Sequence, residues 1–172
     1  MKYDVIVVGA GPAGSTAARE CADIGLSVLM LDRAEFPRDK PCGGGVTVRA
    51  SKLLPFSIDS VMERVITDLH LTYKRANGFT RRSEEKVVSM TQRRNFDMLL
   101  VQKAVQAGAI LRERAQVIQI SRDAAGVEVA TGDGSFSGSV LVAADGVNGK
   151  TSILAGIHPK VSRQIALEGN VT

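Results

Sequence analysis

The hydrophobic residues at the start of the chain form a short β-branched run that is followed at once by glycines. Residues 3–8 (YDVIVV) have the composition of a parallel strand buried on both faces. After GAGPAG comes a segment whose apolar residues recur at helical spacing up to Gly25. A second apolar run, residues 27–31 (SVLML), ends at Asp32. The pattern predicts a strand, a glycine-rich turn, a helix and a second strand, which together make a βαβ unit.

Each glycine of GAGPAG has a physical task if a dinucleotide binds at this turn. Gly9 permits the tight turn, Gly11 lets the backbone approach a pyrophosphate, and Gly14 lets the helix pack closely against the strand. The N-terminus of the helix then presents unpaired N–H groups and a positive dipole end to the phosphates. Asp32 is placed to accept hydrogen bonds from ribose hydroxyls. The alternative is a glycine-rich turn in an α/β domain that binds no nucleotide.

The acid at the end of the second strand also limits which dinucleotide fits. A 2′-phosphate would place a second anion beside Asp32, so NADP is disfavoured while NAD and FAD both remain. A simple NAD domain would continue promptly with a helix and a third parallel strand. Here a long loop, FPRDKPCGGG, follows instead, and we predict a short helix over residues 46–54 that Pro55 closes.

The middle of the chain alternates in the manner of β-structure and then returns to a helix. Residues 58–90 predict strands, with a turn at Asn77-Gly78. A helix is predicted from Arg93 up to Gly108. Arg93 and Arg94 stand at its start, where cations are electrostatically unfavourable, and this indicates a nearby anion such as a cofactor pyrophosphate. Simple solvation, or pairing with Asp97, explains the two arginines equally well.

The last part of the chain predicts a β-meander that leads back to a buried strand. Turns at Ala125-Gly126 and at residues 132–134 separate the strands, and residues 139–144 form the return strand. Asp145-Gly146 follows at its carboxyl end, where open α/β sheets bind ligands. Asp145 can therefore bind a ribitol hydroxyl, or it can cap a helix that begins near Lys150.

Composition and charge narrow the function classes. The chain has 172 residues, a net charge of +4 and a pI near 9.3, values that could indicate binding to nucleic acid. Its basic residues are spread along the chain, however, and only 4% of its residues are aromatic, so few side chains could stack on bases. We therefore expect no nucleic-acid partner. Its two cysteines are too few and too isolated for a zinc site or a disulfide framework. The sequence shows no signal peptide and no run of ~20 apolar residues. We expect a cytoplasmic protein, with peripheral membrane association left open.

At these motifs the sequence resembles the large FAD-dependent family that includes aromatic hydroxylases and geranylgeranyl reductases. GAGPAG, the RxxFDxxL pattern of residues 93–100 and the Asp145-Gly146 strand end are shared across that superfamily. Residues 36–50 (FPRDKPCGGGVTVRA) are similar to the geranylgeranyl reductase branch in particular. The resemblance implies an α/β fold: a Rossmann-like FAD-binding domain with an inserted β-sheet region. It also implies an activity, the reduction of C=C bonds in prenyl chains of archaeal-type lipids, chlorophylls or quinones.

The resemblance assigns roles to individual positions. It places Ala13 and the neighbouring glycines at the pyrophosphate, Cys42, Gly43 and Gly45 on the flavin side, and Val117 beside the adenine. Arg93 is expected near the phosphates or the ribitol. Cys42 is the one candidate catalytic residue, with a packing role as the alternative. The full set of expected FAD-binding residues is Gly9, Gly11, Pro12, Ala13, Gly14, Asp32, Arg33, Cys42, Gly43, Gly44, Gly45, Arg93, Val117, Asp145 and Gly146.

The resemblance also predicts a domain organisation and leaves some functional choices open. We expect an FAD-binding core in residues 1–55, an inserted β-region in 56–92, a return to the FAD domain in 93–160 and the start of a substrate domain in 161–172. The family's proteins are roughly twice as long, so this sequence is expected to be an N-terminal portion. The electron donor is NAD(P)H or ferredoxin. The alternatives are an NAD(P)H-dependent monooxygenase that hydroxylates an aromatic substrate, and a non-catalytic nucleotide-binding module.

Overall fold

The chain folds into two compact units, which are described separately. The computed structural model describes residues 2–158, 160, 162 and 164–166. One unit lies within residues 1–38 and 97–166, and the other is formed by residues 39–96. Among the described residues, every helix is too short or too polar to cross a membrane.

The described residues contain eleven strands, four α-helices and one 3₁₀ turn. The strands are β1 (Lys2–Val8), β2 (Val28–Leu31), β3 (Gly45–Thr47), β4 (Met62–Ile66), β5 (Asp68–Tyr73), β6 (Ala76–Arg82), β7 (Val88–Thr91), β8 (Ile110–Arg112), β9 (Val117–Asp123), β10 (Gly126–Thr131) and β11 (Gly134–Ala143). The helices are α1 (Pro12–Asp23), α2 (Val48–Ser51), α3 (Arg93–Gln106) and α4 (Thr151–Leu154), and the 3₁₀ turn is Asp59–Val61.

A six-stranded mixed sheet forms the first unit, with strand order β8-β2-β1-β11-β10-β9. The four strands from β8 to β11 pair in parallel, whereas β10 and β9 are antiparallel additions at one side. All four residues of β2 are buried, as are the last four of β1. This continuous apolar character is what a parallel strand needs when both faces of its sheet are covered.

The two faces of this sheet carry separate hydrophobic clusters because side chains alternate along each strand. Val5 and Val7 of β1 lie in one cluster, together with Ala18 of α1 and Val101 and Ala104 of α3. The other face holds a second cluster that consists of Ile6, Val8, Leu29, Leu31, Ala115, Val127 and Val129. The ends of β1 and β2 are therefore held by packing on both sides of the sheet. The return strand over residues 139–144, which the sequence predicted to be buried, is half-buried or exposed in β11.

The second unit is built from antiparallel β-structure. Strands β3, β7 and β4 form a three-stranded sheet in that order, and β5 and β6 form a separate two-stranded ribbon. The ribbon turns at Lys74 and Arg75, which both have positive φ angles, 51° and 62°. Positive φ at both central residues is the conformation that a tight two-residue hairpin requires.

The expected fold class is confirmed, with a parallel α/β sheet in one unit and inserted β-structure in the other. Two local predictions are wrong. Instead of a helix over residues 46–54, the chain forms β3 and the single-turn helix α2, because Val46 is buried and pairs with Ser89 of β7. The turn lies at Lys74-Arg75 rather than at Asn77-Gly78, which falls inside β6. Strand β8 was not predicted at all.

Candidate functional site

The glycine-rich turn between β1 and α1 is shaped by close backbone contacts. Gly9 has a φ angle of +96°, which L side chains rarely adopt. A Cβ atom on Gly9 would lie within 3.0 Å of the Ala144 carbonyl group, and one on Gly14 would lie within 3.0 Å of the Gly9 carbonyl group. These two glycines let the turn, the helix and the end of β11 approach one another.

The N-terminus of α1 has the features of an anion-binding site. Gly11 is the N-cap residue and supplies no side-chain hydrogen bond, Pro12 is the first helical residue, and the first turn contains no acidic side chain. The first helical hydrogen bond runs from Ser15 N–H to the Gly11 carbonyl, 2.9 Å, so the N–H groups of Ala13 and Gly14 precede it. A pyrophosphate fits this end of the helix, because it would accept from these groups and meet the positive end of the dipole.

Asp32 is part of the same turn through its side chain. Its Oδ2 atom accepts a hydrogen bond from Ala10 N–H at 2.7 Å, and its Oδ1 atom accepts one from Ala34 N–H at 2.9 Å. The residue is 8% exposed, and its backbone carbonyl accepts from Ala115 N–H at 2.8 Å. Each carboxylate oxygen can accept more than one hydrogen bond. The carboxylate therefore holds the glycine turn in place and keeps capacity for a ribose hydroxyl.

The loop after Asp32 is tied to the connection between β8 and β9. Phe36 N–H donates to Glu113 Oε1 at 2.7 Å, and Glu35 forms an ion pair with Arg114. The hydrogen bond and charge of Glu35 raise the pKa of Arg114. Arg33, an expected cofactor contact, is exposed on this loop, and the half-buried Val117 begins β9.

Asp145 follows the last residues of β11, next to the glycine turn. Its Oδ2 atom accepts hydrogen bonds from Lys150 N–H at 2.8 Å, from Thr151 N–H at 2.9 Å and from Thr151 Oγ1 at 2.7 Å. The side chain therefore caps α4, one of the two roles that the sequence left open. Gly146 has a φ angle of +85° and lies exposed beside it.

The first unit thus brings most of the expected residues together. The glycine turn, Asp32 and Asp145 stand at the carboxyl ends of β1, β2 and β11, three neighbouring strands of one sheet. Open α/β sheets bind their ligands at such an edge. The arrangement can hold a dinucleotide with its phosphates at α1 and a ribose near β2.

The remaining expected residues belong to the second unit and are described by themselves. Cys42 and Gly43 are exposed, and a Cβ atom on Gly43 would meet nothing within 4 Å. Gly44 is buried with a φ angle of +73°, and its carbonyl accepts from both the N–H and the hydroxyl of Thr91, at 2.9 and 3.1 Å. Arg93 is half-buried in the first turn of α3.

Two residues near the turn were not among the expected cofactor contacts. Arg38 forms an ion pair with Asp97 of α3, Nη2 to Oδ2 3.1 Å, and Asp97 is fully buried. Its Nη2 atom is also the nearest atom to a Cβ placed on Gly11, at 3.4 Å. In the sequence Arg38 appears only as one basic residue of a polar loop, and Asp97 only as part of the RxxFDxxL pattern. Nothing in the sequence around either residue predicts that Arg38 and Asp97 form an ion pair.

Comparison with sequence families gives a match over nearly the whole chain. The model of the FAD binding domain family matches residues 2–172. Digeranylgeranylglycerophospholipid reductase 1 of Methanopyrus kandleri is 34% identical over 172 aligned residues, covering 94% of this chain and 44% of that protein. Menaquinone reductase of Mycobacterium tuberculosis is 66% identical over a local stretch of 47 residues, which is 27% of this chain and 12% of that protein. The chain spans less than half the length of these relatives.

Solved structures match the fold as a whole. A geranylgeranyl bacteriochlorophyll reductase-like protein of Thermoplasma acidophilum superposes with a TM-score of 0.81 at 26% identity, over 91% of this chain and 42% of that one. A flavin-dependent brominase superposes with a TM-score of 0.75 at 27% identity, over 90% of this chain and 41% of that one. The similarity to geranylgeranyl reductases that residues 36–50 indicated is confirmed by the Methanopyrus and Thermoplasma proteins.

Proposed function

Because this chain belongs to the FAD binding domain family, we propose that it forms the FAD-binding part of an oxidoreductase that reduces C=C bonds in prenyl chains. The observation that carries the proposal is the 34% identity to a digeranylgeranylglycerophospholipid reductase over 94% of this chain. The local match to a menaquinone reductase supports the same substrate class, since both names describe the reduction of prenylated molecules. The proposed substrate is a prenylated lipid, pigment or quinone.

The residues of the first unit have distinct tasks in binding the cofactor. The first-turn N–H groups of α1 hold the pyrophosphate, and Gly11, which has no side chain, lets it approach the backbone of the turn. Asp32 accepts from a ribose hydroxyl while its other hydrogen bonds fix the turn. Val117 lies beside the adenine, and Asp145 fixes the end of β11 by capping α4. When bound, FAD supplies a hydride to one carbon of the double bond.

The second unit has proposed roles that rest on the resemblance. Gly43 is exposed and has open space where a side chain would lie, so its backbone can approach a flat ring. Cys42 is exposed beside it. It is proposed as a neighbour of the flavin rather than a nucleophile, because no histidine is adjacent to it in the sequence to act as a base. Arg93 is proposed as a contact of the phosphates or ribitol. The electron donor is NAD(P)H or ferredoxin, and the substrate class favours work at a membrane surface.

The proposed reaction is tested with the complete gene product and two substrates. The protein, loaded with FAD and reduced without oxygen, is mixed with a digeranylgeranyl phospholipid or with a menaquinone that has an unsaturated tail. Mass spectrometry is expected to show a gain of two hydrogens per reduced double bond. FAD that is reduced in the absence of protein serves as the control. Protein that binds FAD and leaves both substrates unsaturated under these conditions contradicts the proposal.

A hydroxylase is the second candidate, and the fold similarity to a flavin-dependent brominase is the observation in its favour. Oxygen use separates the two reactions, since a hydroxylase consumes oxygen together with its substrate and a reductase of double bonds does not need it. Substrate-dependent oxygen uptake with an aromatic compound would favour the hydroxylase. Purified protein without a flavin absorption band at ~450 nm would favour the non-catalytic nucleotide-binding module instead.

A further inference from the structure

Arg38 holds its guanidinium group in a fixed position beside the glycine-rich turn. Its Nη2 atom lies 3.1 Å from Oδ2 of Asp97, and its Cζ atom lies 5.0 Å from the centre of the Phe36 ring. The side chain is 18% exposed, and Asp97 is fully buried. Phe36 is itself held by its hydrogen bond to Glu113. Charge pairing and stacking thus orient the planar group from two directions.

The position is electrostatically unusual for a cation. Nη2 of Arg38 is the nearest atom, at 3.4 Å, to a Cβ placed on Gly11, which is the N-cap residue of α1. A positive group is unfavourable at the positive end of a helix. The first turn of α1 supplies no acidic side chain to compensate. Both the helix end and the guanidinium would be stabilised by one anion placed between them.

The hydrogen-bonding capacity of Arg38 is also incomplete. Its Nη1 atom is buried and has no hydrogen-bond partner among the described residues. A buried donor without a partner is rare in folded proteins, and the cost is larger when the group is charged. An acceptor that arrives with a ligand would satisfy it. Phosphate oxygens suit a guanidinium because its forked donors can bind two of them at once.

We propose that Arg38 binds the FAD pyrophosphate together with the N-terminus of α1, and that Asp97 is the residue that positions it. Asp97 holds Nη2, the guanidinium atom nearest to Gly11, beside the N-terminus of α1. The inference rests on the FAD binding of the proposed function and is independent of which substrate is reduced. Lysine would not replace Arg38 fully, since it has no planar fork and would not stack on Phe36 in the same way.

The competing explanation is an ion pair that only holds the loop against α3. The two explanations differ in which ligands they affect. If Arg38 binds phosphate, its removal lowers the affinity for FAD and ADP but not for adenosine. If the ion pair is purely structural, its removal changes the affinity for all three ligands equally or for none of them. Binding is measured on the complete gene product by FAD fluorescence, with ADP and adenosine as competitors, and folding is followed by thermal unfolding without ligand.

Arg38→Met is expected to weaken binding of FAD and ADP by about 10- to 100-fold and to change adenosine binding less than twofold. Asp97→Asn is expected to give a smaller loss for the same two ligands. In combination with Arg38→Met it should add nothing, because residues that act through one another are not additive. Arg19→Met is the matched control, since Arg19 is also a buried arginine, ion-paired with Glu20 and Asp23 further along α1.

Unchanged FAD affinity in folded Arg38→Met, or an equal loss for ADP and adenosine, overturns the inference. If Arg38→Met does not fold, Arg38→Lys is used, and it is expected to lower the ratio of ADP to adenosine affinity by roughly three- to tenfold. An unchanged ratio in that variant contradicts the role of Arg38. Wild-type protein that binds FAD but leaves prenyl double bonds intact contradicts the proposed reaction alone and leaves the role of Arg38 standing.

Discussion

The two glycine-rich segments of this protein, GAGPAG (residues 9–14) and KPCGGGV (residues 40–46), look alike in sequence, but their glycines meet different neighbours. In GAGPAG, the backbone itself excludes side chains from Gly9 and Gly14, whose Cβ atoms would collide with carbonyl groups of Ala144 and Gly9. Gly11 is different, because a Cβ atom there would only touch Arg38 at 3.4 Å, an ordinary contact. Two of the three glycines are therefore required by the fold, whereas the fold alone would accept a Cβ atom at Gly11.

The segment KPCGGGV also contains two glycines that lie close to neighbouring atoms and one that does not. Gly44 has a positive φ angle, +73°, and a Cβ atom there would collide with the carbonyl of Thr91. At Gly45 a Cβ atom would lie 3.1 Å from Cγ1 of Val88, a tight contact with a side chain. Gly43 has open space around it. A run of glycines thus contains some positions where the fold requires glycine and others where it does not. Only the structure shows which positions are which.

The largest effect is expected from Gly14→Ala. The added Cβ atom would meet the Gly9 carbonyl, which is backbone that the sheet holds in place, so we expect a loss of about 4 kcal/mol or more in unfolding free energy, or no folded protein. Urea unfolding measures the change. Gly132→Ala is the control, since its Cβ atom meets nothing within 4 Å, and it should change stability by less than about 0.5 kcal/mol. A Gly14→Ala protein as stable as the control would contradict this account of the turn.

Gly44→Ala is expected to have the next largest effect, about 2–4 kcal/mol. It combines an unfavourable positive φ angle with a collision, and the two hydrogen bonds from Thr91 to the Gly44 carbonyl prevent the backbone from moving away. Gly156→Ala separates the two causes, because Gly156 has a similar φ angle, +75°, but open space. It should cost only about 1–2 kcal/mol. Equal losses in the two variants would mean that the Thr91 contact is unimportant.

Gly43→Ala tests whether a glycine that the fold does not require is needed for FAD binding or turnover. Its Cβ atom meets no protein atom, so unfolding free energy should change by less than about 0.5 kcal/mol. If this backbone approaches the flavin as proposed, FAD affinity or turnover should fall by about tenfold, which corresponds to ~1.4 kcal/mol. Stability and FAD binding are measured on the same preparation. Unchanged stability together with unchanged FAD binding and turnover would remove Gly43 from the candidate site.

The smallest effect is expected at Cys42. The residue is exposed, and we expect Cys42→Ala and Cys42→Ser to retain FAD and to keep turnover within about threefold, because the side chain is replaced by one of similar size. Steady-state rates with the flavin content of each variant provide the check. A loss of more than about 100-fold in both variants, with FAD retained, would show that the thiol takes part in the chemistry.

The first forty residues could be predicted well because their signals are local. The β1 and β2 strands, the helix between them and Asp32 are encoded by apolar runs, by helical spacing and by glycines within a short window. The hairpin turn was misplaced because Asn77-Gly78 is a strong local turn signal. The pairing of Tyr73 with Ala76 instead places Lys74 and Arg75 at the turn.

Elements that depend on distant partners could not be predicted. Strand β8 has only three residues and exists because it pairs with Leu29, Met30 and Leu31. Val46 becomes a strand residue because it pairs with Ser89 of β7, a partner more than forty residues away along the chain. The ion pair of Arg38 and Asp97 joins a loop to a helix that follows far along the chain. Such contacts are decided by tertiary packing, which overrides local preference.

The place of β11 in the six-stranded sheet has a consequence for how the protein is made. Its parallel pairing with β1 joins Lys2 to Ser137, so the centre of the first unit has a high contact order. On the ribosome, the apolar strands β1 and β2 must wait for β11 before their sheet can close. The three-stranded sheet of the second unit lies entirely between Gly45 and Thr91 and needs no later residue. Synthesis therefore supplies all strands of the inserted sheet first and leaves β1 and β2 without their β11 partner until residue 143 has been made.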